Sequence, residues 1–449
     1  MKEIHIECAG AGKTYGIAKK IIELIENCPF AQKIYAITYT NYAVEQIKGE
    51  IVKHLHYLPD EVVIITVHSF LLDHIIYPYS AFVNKGAKIN SCSIEKLPHN
   101  KRFCAIRKKQ LKNNGIIHSN SVSQYAKTII VPKTTDKRCV KNLKAIALEY
   151  LLSDIYCLFV DEAQDMDKDF FELMQYFVAS LNNFYFVGDP NQALWDSDQY
   201  CSFAISITEN NGIAPVRNMV SRRVPQKVVP LCNRILLHDS QITSCCETPG
   251  EIAYVLVSEL LPEELAFLSK NVFSIIKCKV NNFSTMSNNR CITNEFKELL
   301  AAKYPKYDIE ALVGAVIEKI ESIGLDNYLY EINVRLNPQD YARLAQQFTN
   351  KNKCDILVRS IQKIKGLEDN TVYFIICNSL LEILLGIKND HNKETNLLYV
   401  ALTRTKSRLL FVVIDDEIMR KNFQGLNIDI ETAIKECGIP KAEREKWFK

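Results

Sequence analysis

The chain alternates short apolar runs with stretches of helical spacing, and that alternation leaves few folds open to it. Residues 2–7, KEIHIE, alternate polar and apolar with Ile4 and Ile6 on one side, as a strand does. Further strand-like runs are KIYAITYT (33–40), EVVIITVHSF (61–70), IYCLFVDEAQD (155–165) and NNFYFVGDPNQ (182–192). Helical stretches such as NYAVEQIKGEIVKHL and DKDFFELMQYFVASL separate them. The second half repeats the theme with GEIAYVLV (250–257), NVFSIIKCKV (271–280), KCDILVRSIQKIKG (353–366), NTVYFIICN (370–378) and RLLFVVIDD (408–416). Strands that alternate with helices predict parallel sheets, with ligands bound at the carboxyl ends of the strands. The expected fold class is therefore α/β, with two parallel-sheet cores in tandem over residues 1–210 and 211–449. A chain of 449 residues is long enough to give each its own core.

Two segments interrupt the rhythm and read as insertions. Residues 71–150 carry little strand pattern and are basic: from Phe82 to Lys144, only Glu95 and Asp136 oppose the lysines and arginines. Arg107, Lys108 and Lys109 stand in a row there, with Phe82, Phe103 and Tyr125 interleaved. Such a surplus suits phosphate backbones, and a merely solvated surface is the plain alternative. Residues 282–350 read as three or four short helices. Apolar content of 47% and charged content of 24% are ordinary for a globular protein, so the net charge of +3 matters less than its distribution.

The fifteen cysteines include no C-x-x-C pair, which leaves zinc ribbons unsupported. With no secretory leader ahead of the first strand, they are expected to be reduced thiols in a cytoplasmic protein. No apolar run approaches the roughly 18 residues of a membrane helix, so no membrane partner is expected.

The first strand runs into ECAGAGKTYG, Glu7 to Gly16. Strand, glycine turn, helix is the setting of a phosphate loop. Gly10, Ala11 and Gly12 would present backbone N–H groups, Lys13 a mobile positive charge and Thr14 a hydroxyl for Mg²⁺, at a helix N-terminus that favours anions. Glu7 stands where such loops usually begin with glycine, and an ordinary glycine turn remains the alternative. Downstream, LFVDEAQD delivers Asp161 and Glu162 to the end of a strand: one carboxylate for a metal, one as base for an attacking water. VGDPNQALW then offers Gln192 where a γ-phosphate or its water would sit. Arg404, in NLLYVALTRTKSRLLFVV, is either a salt-bridged surface residue or an arginine finger.

In this order the motifs resemble those of superfamily 1A DNA helicases, the UvrD, Rep and PcrA group. AGAGKT resembles motif I, ITYTNYAVEQI motif Ia, TVHSF the DNA-contact motif after it, FVDEAQD motif II and VGDPNQALW motif III. SRRVPQKVVPLCN resembles a degenerate motif IV, IQKIKGLEDNTVYFI motif V and LLYVALTRTK motif VI. The resemblance spans essentially the whole chain. It implies two RecA-like cores, with ATP and Mg²⁺ in the cleft between them and small, mainly helical insertions. Lys13 and Thr14 would hold phosphates and metal, Asp161 the metal, and Glu162 would act as base. Gln192, Arg223 and Arg404 would read the γ-phosphate, and Glu368 the ribose. Single-stranded DNA would cross both cores near Tyr39, Thr40, Asn41, His68 and Trp195, although core roles stay open for His68 and Trp195.

The departures carry implications too. No glutamine-bearing segment precedes motif I, Arg222 replaces the aromatic of motif IV and would have to stack on adenine as a flat guanidinium, and Ser197-Asp198 replace the Trp-Arg pair after motif III. The insertions stand for a reduced 1B domain and something shorter than 2B. HSFLLDHIIYPY and FVDEAQDMDKDFFELM in so compact a chain resemble the helicase-like subunits of Gabija antiphage systems, which implies an OLD-type nuclease as partner. Two functions follow: a 3′-to-5′ translocase on single-stranded or partly duplex DNA, or a DNA- or nucleotide-sensing ATPase that controls the nuclease. A small-molecule P-loop kinase would leave Gln192, Arg404 and the basic insertion unexplained.

Overall fold

A computed structural model of the chain describes every residue except 85, 96, 99, 195–197, 286–291, 305–312, 314, 315, 318, 321, 322, 349–355, 389–392 and 449. In chain order the strands of the first half are β1 Lys2–Glu7, β2 Lys33–Thr38, β3 Val62–Thr66, β4 Ser91–Ser93, β5 Ile116–His118, β6 Ile155–Val160, β7 Phe184–Gly188 and β8 Val216–Asn218. The second half adds β9 Val220–Ser221, β10 Thr243–Ser244, β11 Glu251–Leu256, β12 Ser274–Ile276, β13 Phe283–Thr285, β14 Ile356–Ser360, β15 Asp369–Ile376 and β16 Thr405–Val413.

Two six-stranded sheets result, in the order β3-β2-β6-β7-β1-β8 and β11-β16-β15-β12-β14-β13, and every pairing within them is parallel. The apolar runs explain this. β7 is buried along its whole length and β6 at all but Tyr156, as strands covered by helices on both faces must be. Ile4 and Ile6 of β1 are both buried. The order of the first sheet puts β6, β7 and β1 side by side. Three separate stretches of sequence therefore end at one place: Gly10–Thr14 after β1, Asp161 and Glu162 after β6, and Asp189–Gln192 after β7.

The first sheet runs later than residue 210, because β8 pairs with β1 at Val216–Asn218. The basic segment is not purely an appendage. Its helices Val122–Ile130 and Arg138–Ser153 bury Val122, Ala126, Ile129, Ile130, Ala147 and Leu151 in the same apolar cluster as Phe170 and Phe177 of the first core. The rest is a two-stranded parallel ribbon, β4 with β5, crossed over by the helix Lys101–Asn113. Within 282–350, β13 is an edge strand of the second sheet. The helices Asn294–Lys303, Leu325–Glu331 and Pro338–Phe348 share a small cluster around Phe296, Tyr328, Leu329 and Leu344.

The two cores meet through an apolar contact as well as a cleft. Cys8, Ala9, Ala11 and Leu194 of the first belong to the same buried cluster as Val224, Val228, Tyr399 and Val400 of the second. Among the described residues no helix is long and apolar enough to cross a membrane, and every cysteine is free.

Candidate active site

The glycine turn forms the floor of the site. Gly10 and Gly12 have φ values of 76° and 97°, left-handed backbone that other residues adopt only with strain. Gly12 is also the N-cap of the helix Lys13–Ile25, with no side-chain cap on its first amides, so these orphan donors face a cleft and suit an anion. Lys13 folds over the loop, donating to the Glu7 carbonyl at 3.4 Å and the Cys8 carbonyl at 3.3 Å. The Thr14 hydroxyl donates to Asp161 Oδ2 at 3.1 Å.

At the end of β6 the backbone turns sharply. Glu162 has φ 50°, an uncommon conformation for a residue with a Cβ, held by its N–H on Asp161 Oδ1 at 2.9 Å. Burial, with the Glu162 charge beside it, pushes Asp161 up to about 7. Burial also opposes charge on Glu162, yet Lys13, then Lys365, Gln164 and Arg404, hold its carboxyl below the usual value. Two adjacent carboxylates are thereby pulled apart in acidity, a pattern common at reacting sites.

Across the cleft stands the second core. Arg404 is 1% exposed, a position an unpaired guanidinium could not hold. Its protons are placed: Nε on the Val400 carbonyl at 3.0 Å, Nη1 on the Leu367 carbonyl at 3.3 Å, and Nη2 on Thr403 Oγ1 at 3.3 Å and Gln192 Oε1 at 3.0 Å. Burial, then the like charge of Arg223, lower it to about 10. Arg223 pairs with Glu368, which Lys406 also binds at 2.6 Å. Burial opposes the Glu368 charge, but Arg223 and Lys406 keep its pKa low. Lys365 bridges the cores, 2.5 Å from Asp165 Oδ1 and 2.7 Å from the Gln192 carbonyl.

These groups line a single cavity of about 730 Å³, walled by Gly10, Gly12, Lys13, Thr14, Glu162 and Gln192 from one side and by Arg223, Lys365, Glu368 and Arg404 from the other. Tyr39 and Thr40, expected on a DNA path, line the same cavity. Thr40 also caps the helix Asn41–Leu55 through Ala43 N–H at 3.2 Å. Ala11 is buried behind the loop. Arg222 is exposed and not on the cavity wall, and its backbone N–H donates to the Gly10 carbonyl at 2.9 Å. Asn41 and His68 are exposed at the starts of their helices, and Trp195 lies outside the described residues. Lys109 is exposed and Lys108 half-buried on the helix Lys101–Asn113, but Arg107 is engaged, its Nε and Nη2 forking onto Glu95 at 2.6 and 2.8 Å.

Sequence reasoning missed Asp165, Asp189, Lys365, Tyr399 and Asn396, whose Nδ2 donates across the cores to the Ala193 carbonyl at 2.8 Å. Asp189 and Tyr399 are buried polar groups inside quoted motifs, and a polar residue amid an apolar run was the available signal. Lys365 and Asp165 had none, since their partners lie in distant segments. The donor set fits a magnesium-bound phosphate: hard oxygens from Thr14 and Asp161, with Lys13 and uncapped amides beside them. Among the described residues no group of three or more histidine, cysteine or carboxylate side chains is placed to hold a metal ion.

With that geometry in hand, the likeness to known proteins is informative. A family model described as an AAA domain matches residues 4–196. The chain is 27% identical over 228 residues to the ATP-dependent DNA helicase Rep of Buchnera aphidicola subsp. Schizaphis graminum (strain Sg), covering 42% of this chain and 34% of that one. It thus spans only about a third of that relative. It is 27% identical over 504 residues to the Gabija protein GajB of Bacillus cereus (strain VD045), covering 96% of this chain and 95% of that one.

Proposed function

We propose that the chain is a UvrD/Rep-like, ATP-driven motor on single-stranded DNA, a subunit of an antiphage defence complex moving 3′ to 5′; the AAA-domain match and the likeness to Rep and GajB support this reading. The observation that carries this reading is the composite cleft. Lys13 and Thr14 line it from one core, while Arg223 and Arg404 line it from the other. A nucleotide held so makes the separation of the cores depend on its own cleavage, which is how hydrolysis becomes movement.

In this reading Lys13 and the loop amides bind the phosphates, and Glu162 orients and deprotonates the attacking water. Arg404 stabilises charge on the transferred phosphoryl group, and Arg223 leaves Glu368 to join it. Glu368 would then keep only Lys406 and turn to the ribose, and Arg222 would have to swing in from outside the cavity wall to reach the base. Thr14 and Asp161 would hold Mg²⁺, which when bound would neutralise phosphate charge. Tyr39, Thr40, Asn41, His68, Trp195, Lys108 and Lys109 are the candidate DNA contacts.

The second reading, a sensing ATPase that licenses a nuclease of the OLD type, is favoured by the small size of both insertions. The test is ATP hydrolysis by the purified chain with and without single-stranded DNA, alongside Lys13→Ala and Glu162→Gln. Lys13→Ala should abolish turnover, and Glu162→Gln should keep nucleotide binding but stop hydrolysis. Undiminished turnover in either variant would remove that residue from its role. Processive strand displacement by the isolated chain would decide for the motor against the sensor, and co-purification from the native host would identify the partner.

A further inference from the structure

Tyr399 is fully buried, yet its hydroxyl makes two polar contacts, both to the first core although it belongs to the second. It accepts from the N–H of Ala9 in the glycine loop at 3.2 Å and donates to Asp189 Oδ2 at 3.2 Å. The direction is fixed by chemistry. An amide N–H can only donate, so the phenol proton must go to the carboxylate. Asp189 Oδ2 also accepts from Gln192 Nε2 at 2.8 Å, and the other end of that amide, Oε1, accepts from Arg404. A carboxylate at one end and a guanidinium at the other leave the Gln192 amide a single orientation. Arg404 lies five residues after Tyr399, so one short segment of the second core grips Gln192 directly and through Asp189.

We propose that Tyr399 is a positioning residue that ties the glycine loop to Asp189, and through Asp189 sets Gln192 against Arg404, so that the γ-phosphate-reading groups align only when the cores are closed. The inference rests on the ATP-hydrolysing reading above. Opening the cleft must break the Ala9 and Asp189 bonds together, because one oxygen makes both. Tyr399 touches no nucleotide in this scheme and acts through Gln192.

The test is a double-mutant cycle on ATP turnover. Tyr399→Phe keeps the ring and its packing and removes only the oxygen. It should lower kcat about tenfold, the scale of losing one buried hydrogen bond to a charged group, with KM changed less than about twofold. In a Gln192→Ala background the same change should cost less than about twofold, because its route of action is already gone. Equal losses in both backgrounds would make Tyr399 a merely structural residue and overturn the proposal, as would an unchanged kcat. If Tyr399→Phe does not fold by thermal melting, Tyr399→Leu, which also removes the oxygen, takes its place in the cycle with the same two outcomes. A wild-type chain without any turnover would overturn the motor reading and this proposal with it. Turnover in the wild type with additive mutants would overturn this proposal alone.

Discussion

Arg404 Nη2 lies 3.0 Å from the side-chain oxygen of Gln192, so a buried guanidinium of the second core ends on a first-core residue 212 positions away. Each is left with a poor alternative if the other is removed: a buried charge on one side, a buried amide oxygen on the other.

Arg404→Ala should therefore lower ATP hydrolysis by about 10³-fold or more, as loss of an arginine finger does. Arg404→Lys should recover little, because a lysine cannot reproduce a fork serving four acceptors. Steady-state hydrolysis with nucleotide affinity measured separately is the check. A loss confined to affinity would take Arg404 out of the transition state.

Gly10 and Gly12 should not be equivalent. A Cβ on Gly10 would come within 2.5 Å of Arg223 Cβ and 2.6 Å of Ser221 Oγ, whereas one on Gly12 meets nothing within 4 Å. Gly12→Ala carries mainly the strain of its positive φ, about 1–2 kcal/mol. Gly10→Ala must also displace the Ser221–Arg223 segment, and should lower both the melting temperature and the hydrolysis rate further. Equal melting temperatures for the two variants would contradict the close approach.

The basic helix divides its labour. Lys108→Glu with Lys109→Glu should weaken single-stranded DNA binding and flatten its salt dependence by about 0.7 in log–log slope for each phosphate no longer neutralised. Arg107→Ala should leave the slope nearly unchanged, since its guanidinium is spent on Glu95. Binding titrations across a salt series separate the two.

His5 predicts a pH dependence of stability. It stands between Glu3 and Glu7, at 2.9 and 3.2 Å, with Lys20 on Glu3 and the Tyr185 ring beside it. Burial disfavours the imidazolium, but Glu7 and Glu3 outweigh it and raise His5 above its ordinary value. A raised histidine stabilises fully below the unfolded value near 6.5, and the benefit disappears as pH rises through the folded value. His5→Gln should thus melt lower than wild type by about 2 °C or more near pH 5.5, the gap closing toward about pH 8.5. A gap independent of pH would show that His5 acts by packing alone.

Local chemistry was enough for much of this. The apolar runs marked five strands of each sheet, all but β8 and β13, because burial on two faces leaves a signature within a few residues. The motifs marked Lys13, Thr14, Glu162, Gln192 and Arg404, because each lies within a few residues of a strand end. The polar logic was not local. Ala9 and Tyr399 are 390 residues apart, and Lys365 and Asp165 are 200 apart. The pairing of Arg107 with Glu95 left no mark in the sequence, and β13 looked like part of an insertion until its partner β14 appeared.

What the sequence determined by itself was the fold class and the glycine loop between the first strand and its helix, since periodicity and glycine placement are properties of short segments. What only the tertiary structure decided was which charge each polar group answers. A hydrogen bond depends on distances of a few ångströms, and the order of strands in a sheet, not their order in the chain, sets those distances.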